Sequence, residues 1–341
     1  MELVSETSIS QLRALVEKAN AKDIALQAAF KILHQGYPNE TVARFLRARE
    51  GNVPKGFNMI MDCLRWRTNN DIDNILSRLI EPKEMYDAVR DSQLIGMTGY
   101  CRQGRPVFAL GVGMSGYNKA TVDHYVQSHI QINEYRDRVL LPEATKKMGH
   151  YVGTCLKILD MSNLKLSALN QLKILTTIST VDDLNYPEKT DVYYIVNAPY
   201  IFSACWKVVR PLLQERTKHK IRVLQGCGKD ELLQVMDATV LPFFCQNGSK
   251  QTGSSQGSTK GLDDCYSSSH PFHKELYNYI KQKSYSVSKY LGPSPCSSLH
   301  VEVPEADAET QIFETAIETA IVKLRDETLS INDNGKTMND V

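Results

Sequence analysis

Between residues 186 and 224 the chain runs YPEKTDVYYIVNAPYIFSACWKVVRPLLQERTKHKIRVL, and no other stretch constrains the fold as tightly. It reads as polar loop, buried strand, amphipathic helix, basic turn and buried strand. The run at 192–197 is apolar and aromatic on both faces, as in a strand covered on both sides. In the helix, Ile201, Phe202, Cys205, Trp206, Val209, Leu212 and Leu213 follow steps of one, three and four, so they share one face. Ser203, Lys207, Arg210 and Gln214 lie between them. Pro211 removes a hydrogen bond and clashes with the preceding turn, so a kink or break is expected there.

The flanking segments extend this pattern. Residues 1–80 read as a helical module. Ser8 with Gln11 fits a capping box, Asn39 fits the cap of a second helix stopped by Gly51, and Pro54 fits the opening of a third. Strands are expected at 93–97, 106–110, 156–160, 192–197 and 221–224. Helical segments at 122–141 and 168–181 separate most of them. Such alternation argues for an α/β unit with a largely parallel sheet over residues 81–248. From 247 the chain reads NGSKQTGSSQGSTKG, the composition of a flexible linker. Residues 249–341 are expected to be linker and acidic tail, with one amphipathic helix near 310–328.

Composition narrows the class of function. Residues 301–341 hold three basic and ten acidic side chains, a net of −7, which leaves +8 on residues 1–300. A mildly basic body suits transient contact with anionic membrane surfaces, and gives no reason to expect nucleic acid. The eight cysteines are scattered with no Cys-x-x-Cys pair, so reduced thiols are expected and no metal centre. No basic segment precedes an apolar run at the N-terminus, and a cytoplasmic location is expected.

Catalytic signatures are missing from the sequence. Gly111-Val-Gly-Met-Ser-Gly116 matches G-x-G-x-x-G, but Tyr117, Asn118 and Lys119 intervene before any helix that could present its amides to a pyrophosphate. No G-x-S-x-G elbow occurs. A non-enzymatic chain is expected, with no cofactor. What remains is an unusually large apolar and aromatic helix face, flanked by an acid (Glu188) and a base (Lys220) at strand ends. That combination suits a ligand with a polar head and acyl chains.

YPEKTDVYYIVNAPYIFSACWKVVRPLL resembles the signature of the CRAL-TRIO lipid-binding family, and is similar to phosphatidylinositol transfer proteins of fungi and plants. TVARFLRARE (41–50), GRPVFALGVG (104–113), LKILDMSNLKLS (156–167), KIRVL (220–224) and LLQVMDATVLPFFCQNG (232–248) match in the same order. The resemblance implies an N-terminal helical module followed by a domain with an apolar pocket closed by a gate helix. It implies a monomer that exchanges phosphatidylinositol, with phosphatidylcholine as a second candidate, and that associates reversibly with Golgi or plasma membrane. Carriage of a sterol or tocopherol, or presentation of inositol lipid to a kinase, are the alternatives. Carried over, Glu188 accepts from ring hydroxyls, Lys220, Thr217 and Arg49 face phosphate, and Phe202, Trp206, Val209, Leu212 and Leu213 form the gate and acyl wall. The sequence departs from the family where choline is held, with Cys155, Lys157 and Phe108 at those positions, and Glu50 replaces a second base beside Arg49.

Overall fold

The computed structural model describes residues 4–165, 171–210, 215–246 and 264–291, with isolated positions 315, 319 and 322. Helices α1 (Glu6–Asn20), α2 (Ile24–His34), α3 (Pro38–Ala48) and α4 (Val53–Asn69) pack around Leu12, Val16, Phe30, Val42, Phe45, Leu46, Ile60 and Leu64. Two caps differ from expectation. Ser5, not Ser8, caps α1, accepting from the Ser8 N–H at 3.1 Å. Tyr37 precedes α3 with no side-chain cap, because Pro38 already removes one of the orphan donors, while the Asn39 side chain accepts from Arg13 instead. Gly51, at φ +76°, does end α3, its N–H reaching the Leu46 carbonyl.

A 3₁₀ turn (Ile72–Ser77) and α5 (Lys83–Arg90) lead into the sheet. Its strands are β1 (Ile95–Tyr100), β2 (Pro106–Leu110), β3 (Cys155–Asp160), β4 (Thr190–Val196) and β5 (Ile221–Val223), side by side in chain order. β1 pairs antiparallel with β2, and the other pairs are parallel. Between them run α6 (Val122–Tyr135), a π turn (Arg136–Leu140), α7 (Leu141–Met148), α8 (Leu172–Asn185), α9 (Tyr200–Val209) and α10 (Glu215–Lys218). α11 (Lys229–Leu232), α12 (Phe243–Gln246) and α13 (Pro271–Leu291) follow β5.

Register sorts the two faces of the sheet. Met97, Phe108, Lys157, Tyr193 and Ile221 lie in one row across all five strands. Alternation puts Leu159 and Ile195 on that same face. The other face carries Val107, Leu156, Ile158, Tyr194 and Val196, covered by Leu232, Met236, Leu241 and Cys245.

The boundary expected at 249 needs correction. α13 is part of the main core: its Phe272, Leu276 and Ile280 pack with Ile72, Ile75, Ile95, Met97, Phe108 and Tyr135. The apolar residues recur every four positions, one helix face that can only be buried by returning to the body. The segment before α13 crosses the sheet closely. A Cβ on Gly96 would come within 2.1 Å of the Cys265 carbonyl oxygen, so only glycine fits. Of the helix expected near 310–328, only positions 315, 319 and 322 are among the described residues, and those three are helical.

His273 anchors this returning segment. It is 2% exposed, and its Nε2–H donates to the Cys265 carbonyl at 3.1 Å. Burial, and then the neighbouring Arg90 guanidinium, push the imidazole down to about 3 from 6.5. The unfolded chain therefore binds a proton that the native chain refuses. Stability from this group is fully present above pH 6.5 and is lost as pH falls toward 3, at up to about 1.4 kcal/mol per pH unit. Urea unfolding between pH 7 and 4.5 is expected to show a shallower decline for His273→Gln than for the wild type. Parallel declines would show that His273 does not carry the linkage.

Candidate functional site

The site is built on the segment preceding β4, whose backbone is held at nearly every residue. The Asn185 carbonyl accepts from Cys63 Sγ of α4 at 3.6 Å, and the Tyr186 hydroxyl donates to Glu134 of α6 at 2.8 Å. The Pro187 carbonyl accepts from Arg44 of α3 at 2.9 Å. Lys189 turns inward to Asp137 of the π turn at 3.1 Å, and its carbonyl accepts from the Cys155 N–H. Burial and the adjacent Arg44 push the Lys189 ammonium down to about 7, although Asp137 pulls the other way. Between these fixed neighbours Glu188 adopts φ +59°, a left-handed conformation that costs a non-glycine residue about 1 kcal/mol or more and turns its carboxylate away from the clamp.

That carboxylate meets Lys220. Glu188 Oε2 and Lys220 Nζ are 2.6 Å apart, with side chains 13% and 18% exposed. Lys220 closes the turn of α10: its N–H donates to the Thr217 carbonyl at 3.0 Å, and its own carbonyl accepts from the Tyr193 N–H. Thr217 is therefore in the same turn as Lys220. Arg49 lies at the end of α3, where its guanidinium donates to the Ala48 carbonyl at 3.2 Å. The same carbonyl accepts from Arg216 of α10, so the N-terminal module and the basic turn meet there. Sequence reasoning did not identify Arg216 or Arg44. Nothing local marks them, because their partners are 168 and 143 residues away.

α9 covers the sheet face that carries the row of Lys157. Phe202 and Trp206 stack at 5.9 Å between ring centroids and pack with Leu159, Ile195 and Ile221. Tyr200, at the start of α9, is 95% exposed. The Val209 side chain, Pro211, Leu212 and Leu213 lie outside the described residues. Beneath the helices on this face is a charged network. Asp182 of α8 accepts from His129 Nε2 and Asn133 Nδ2 of α6, both at 2.7 Å, while its second oxygen is 3.6 Å from Lys157 Nζ. Phe108 packs edge-on against Phe272, and Cys155 is fully buried.

The glycine-rich loop does different work from phosphate binding. The Gly113 N–H donates to Asp160 and the Gly116 N–H to Ser92. A Cβ on Gly113 would come within 2.2 Å of the Ser162 carbonyl oxygen. α6 begins only at Val122, capped by Thr121. The loop is thus a close crossing beside the sheet. Glu134 of α6 is buried in an ion pair with Arg67. Among the described residues no helix is long and apolar enough to cross a membrane.

Comparison with known proteins agrees with this architecture. Residues 90–246 match the family model described as CRAL/TRIO domain, and residues 8–62 match CRAL/TRIO, N-terminal domain. The chain is 29% identical over 207 residues to "Phosphatidylinositol/phosphatidylcholine transfer protein SFH7" of Arabidopsis thaliana, covering 59% of this chain and 38% of that one. It is 29% identical over 230 residues to "SEC14 cytosolic factor" of Eremothecium gossypii, covering 64% of this chain and 74% of that one. Against the plant relatives SFH7, SFH9 and SFH12, the match spans only 37–38% of their length. The solved structure titled "Crystal structure of Sfh5" superposes with a TM-score of 0.53 at 16% identity, over 84% of this chain and 99% of that one. With both family models matched in order, on a sheet and helical module of the corresponding architecture, the chain belongs to the CRAL/TRIO family.

Proposed function

We propose that this protein lifts one phosphatidylinositol-type lipid out of a membrane, holds it against the α9 face of the sheet, and exchanges it between membranes without making or breaking a bond. The observation that carries this reading is the half-buried Glu188–Lys220 pair, whose lysine directly precedes Ile221, a residue that packs with Phe202 and Trp206. The names of the fungal and plant relatives support it. With no lipid, the two charges neutralise each other. An inositol phosphodiester replaces that contact with matched ones: ring hydroxyls donate to Glu188, while Lys220, Thr217 and Arg49 face the phosphate. Arg216 joins them, since it shares the Ala48 carbonyl with Arg49. The acyl chains lie along Phe202 and Trp206, where each large apolar group removed from water contributes about 1.5–3 kcal/mol. The protein works as a cytoplasmic monomer that touches membranes only during exchange, and it needs no cofactor.

The test is mass spectrometry of lipids extracted from the purified chain after exposure to mixed vesicles. The wild type is expected to retain phosphatidylinositol. Glu188→Ala and Lys220→Ala are each expected to load it about ten- to hundred-fold less well, as the loss of a charged hydrogen bond worth about 1.5–3 kcal/mol implies. Both variants remove a partly exposed group, so their thermal unfolding is expected to stay close to that of the wild type. Full loading by both, or recovery of a sterol or isoprenoid in place of the phospholipid, would overturn the assignment.

A further inference from the structure

The inner face of α5 carries buried donors without acceptors. Tyr86, Arg90 and Gln93 follow steps of four and three, and helical bonding continues to the last of them, since the Gln93 N–H donates to the Val89 carbonyl at 2.8 Å. The three side chains therefore share one face. Arg90 is 2% exposed and Gln93 is fully buried. Arg90 Nε and Nη1, Gln93 Nε2 and the Tyr86 hydroxyl have no hydrogen-bond partner among the described residues. The Gln93 carbonyl oxygen accepts from Ser128 at 3.3 Å, which fixes the amide with its NH2 group turned the other way. Tyr117 of the glycine-rich loop adjoins both Gln93 and Arg90, its hydroxyl facing the amide without the alignment of a full hydrogen bond. No carboxylate among the described residues offsets the charge of Arg90. On its own helix, Asp87 pairs with Lys83 at 2.6 Å, and Glu84 and the following Asp91 are exposed. Burial lowers the Arg90 pKa, and the groups that oppose this are only the phenols of Tyr86 and Tyr117.

A buried donor needs an acceptor, and a buried charge needs an opposite charge. A water molecule meets only the first need. A small anion meets both, because it neutralises the guanidinium and accepts from several N–H and O–H groups at once. We propose that the face formed by Tyr86, Arg90 and Gln93 is a binding site for one monovalent inorganic anion of halide size, such as chloride, and that the bound anion helps to fasten α13 to the body. The charge count sets the class of ligand. One guanidinium with neutral donors balances a single negative charge, whereas a sulfate or phosphate dianion would carry an uncompensated charge into the interior. The packing sets the consequence. The Arg90 guanidinium stands 5.6 Å from the centre of the Tyr86 ring, and that ring packs at 4.9 Å on Tyr277 of α13. Arg90 is also close enough to depress His273, which anchors the returning segment. The site shares no residue with the Glu188–Lys220 pair, and it does not depend on the carrier reading.

The experiment is urea unfolding of the full chain at constant ionic strength, with sodium gluconate replaced stepwise by sodium chloride. Gluconate is too large to enter a buried halide site, so the exchange separates specific binding from screening. Once chloride exceeds its dissociation constant, the unfolding equilibrium constant of the wild type is expected to fall about ten-fold for each ten-fold rise in chloride, the signature of one ion bound by the native chain. Arg90→Met removes the charge and the donors, and its stability is expected not to respond to the exchange. Gln93→Leu keeps the charge but removes a donor, and is expected to need about ten-fold more chloride for the same response. Diffraction from wild-type crystals grown in sodium bromide is expected to show an anomalous peak within hydrogen-bond reach of Arg90 Nε and Nη1. This measurement and the wild-type titration decide the matter even where Arg90→Met does not fold. A wild type indifferent to the exchange would overturn the proposal, because water would then satisfy the donors. Bromide found only on the surface, or a folded Arg90→Met that keeps the full response, would overturn it as well. A response to sulfate as large as that to chloride would overturn the assignment to a monovalent anion.

Discussion

A chain ending at residue 263 is expected to lose cooperative folding, whereas one ending at residue 291 is expected to keep it. The difference is α13. Phe272, Leu276 and Ile280 are 5%, 2% and 2% exposed, and they close the core between the 3₁₀ turn after α4, β1 and β2. Each such side chain contributes about 1.5–3 kcal/mol when buried, so the three together approach the whole stability of an ordinary domain, roughly 5–15 kcal/mol. Truncation also uncovers the apolar groups they shield, Phe108 and Tyr135 among them, which favours association of the damaged chains. Near-UV circular dichroism and thermal unfolding of the two truncations compare them directly. Leu276→Asp in the full chain isolates the packing effect from the loss of backbone. A 263-residue chain that melts cooperatively within a few degrees of the full protein would show that α13 is an appendage.

The sequence revealed this fold unevenly, for physical reasons. Strand β2 falls on the expected 106–110, and β3 and β4 begin only one and two residues early. These are strands buried on both faces, which appear as short apolar runs between turn residues. β1 begins two residues later than expected and runs three further. Gly96 and Gly99 dilute its pattern, and the register shifts between Met97 and Gly99. Gln93, expected in the strand, is buried in the turn before it. The serine spacing at Ser8 matched a capping box in letters only, since Ser5 reaches the amide first. α13 was not read from the sequence: the Gly/Ser-rich stretch suggested separation, and no local rule says that a chain returns after it. The acid and base of the site were visible as residue types. Their 2.6 Å contact was not, because it joins positions 32 apart through the sheet. The clamp around Glu188 was less visible still. A buried arginine in a helix has the same letters as a solvated one, and Arg44 differs only in having the Pro187 carbonyl above it.

The same logic applies to Arg67, where the largest single-residue effect is expected. It is 1% exposed and makes two hydrogen bonds to Glu134, at 2.7 and 2.9 Å, and two to Asp73, at 2.6 and 2.9 Å. Glu134 is itself 2% exposed and also accepts from Tyr186, the residue two before Glu188. This ion pair ties α4 to α6 and to the segment that presents the site. Burial alone would raise the Glu134 carboxyl, but the Arg67 guanidinium outweighs it and holds the group below its ordinary value. Arg67→Met leaves a buried carboxylate whose remaining partners among the described residues are the Tyr186 hydroxyl and, at 3.7 Å, Arg138. Removing one partner of such a pair costs about 3–5 kcal/mol, far more than the pair contributes relative to an apolar replacement. The sign with pH follows. In the wild type the contribution of Glu134 is present above its unfolded value near 4.5 and is lost as pH falls below it. In Arg67→Met the folded value is raised instead, so stability is lost as pH rises through 4.5. The gap between the two proteins is therefore expected to be widest at neutral pH and to narrow toward pH 4. Adding Glu134→Gln to Arg67→Met removes the stranded charge while keeping an acceptor for Tyr186, and is expected to recover most of the loss. Denaturant unfolding of the three proteins at pH 7 and pH 4.5 measures this directly. A single variant less than about 1 kcal/mol below the wild type at pH 7 would mean that packing alone sets the position of α6 and of Glu188.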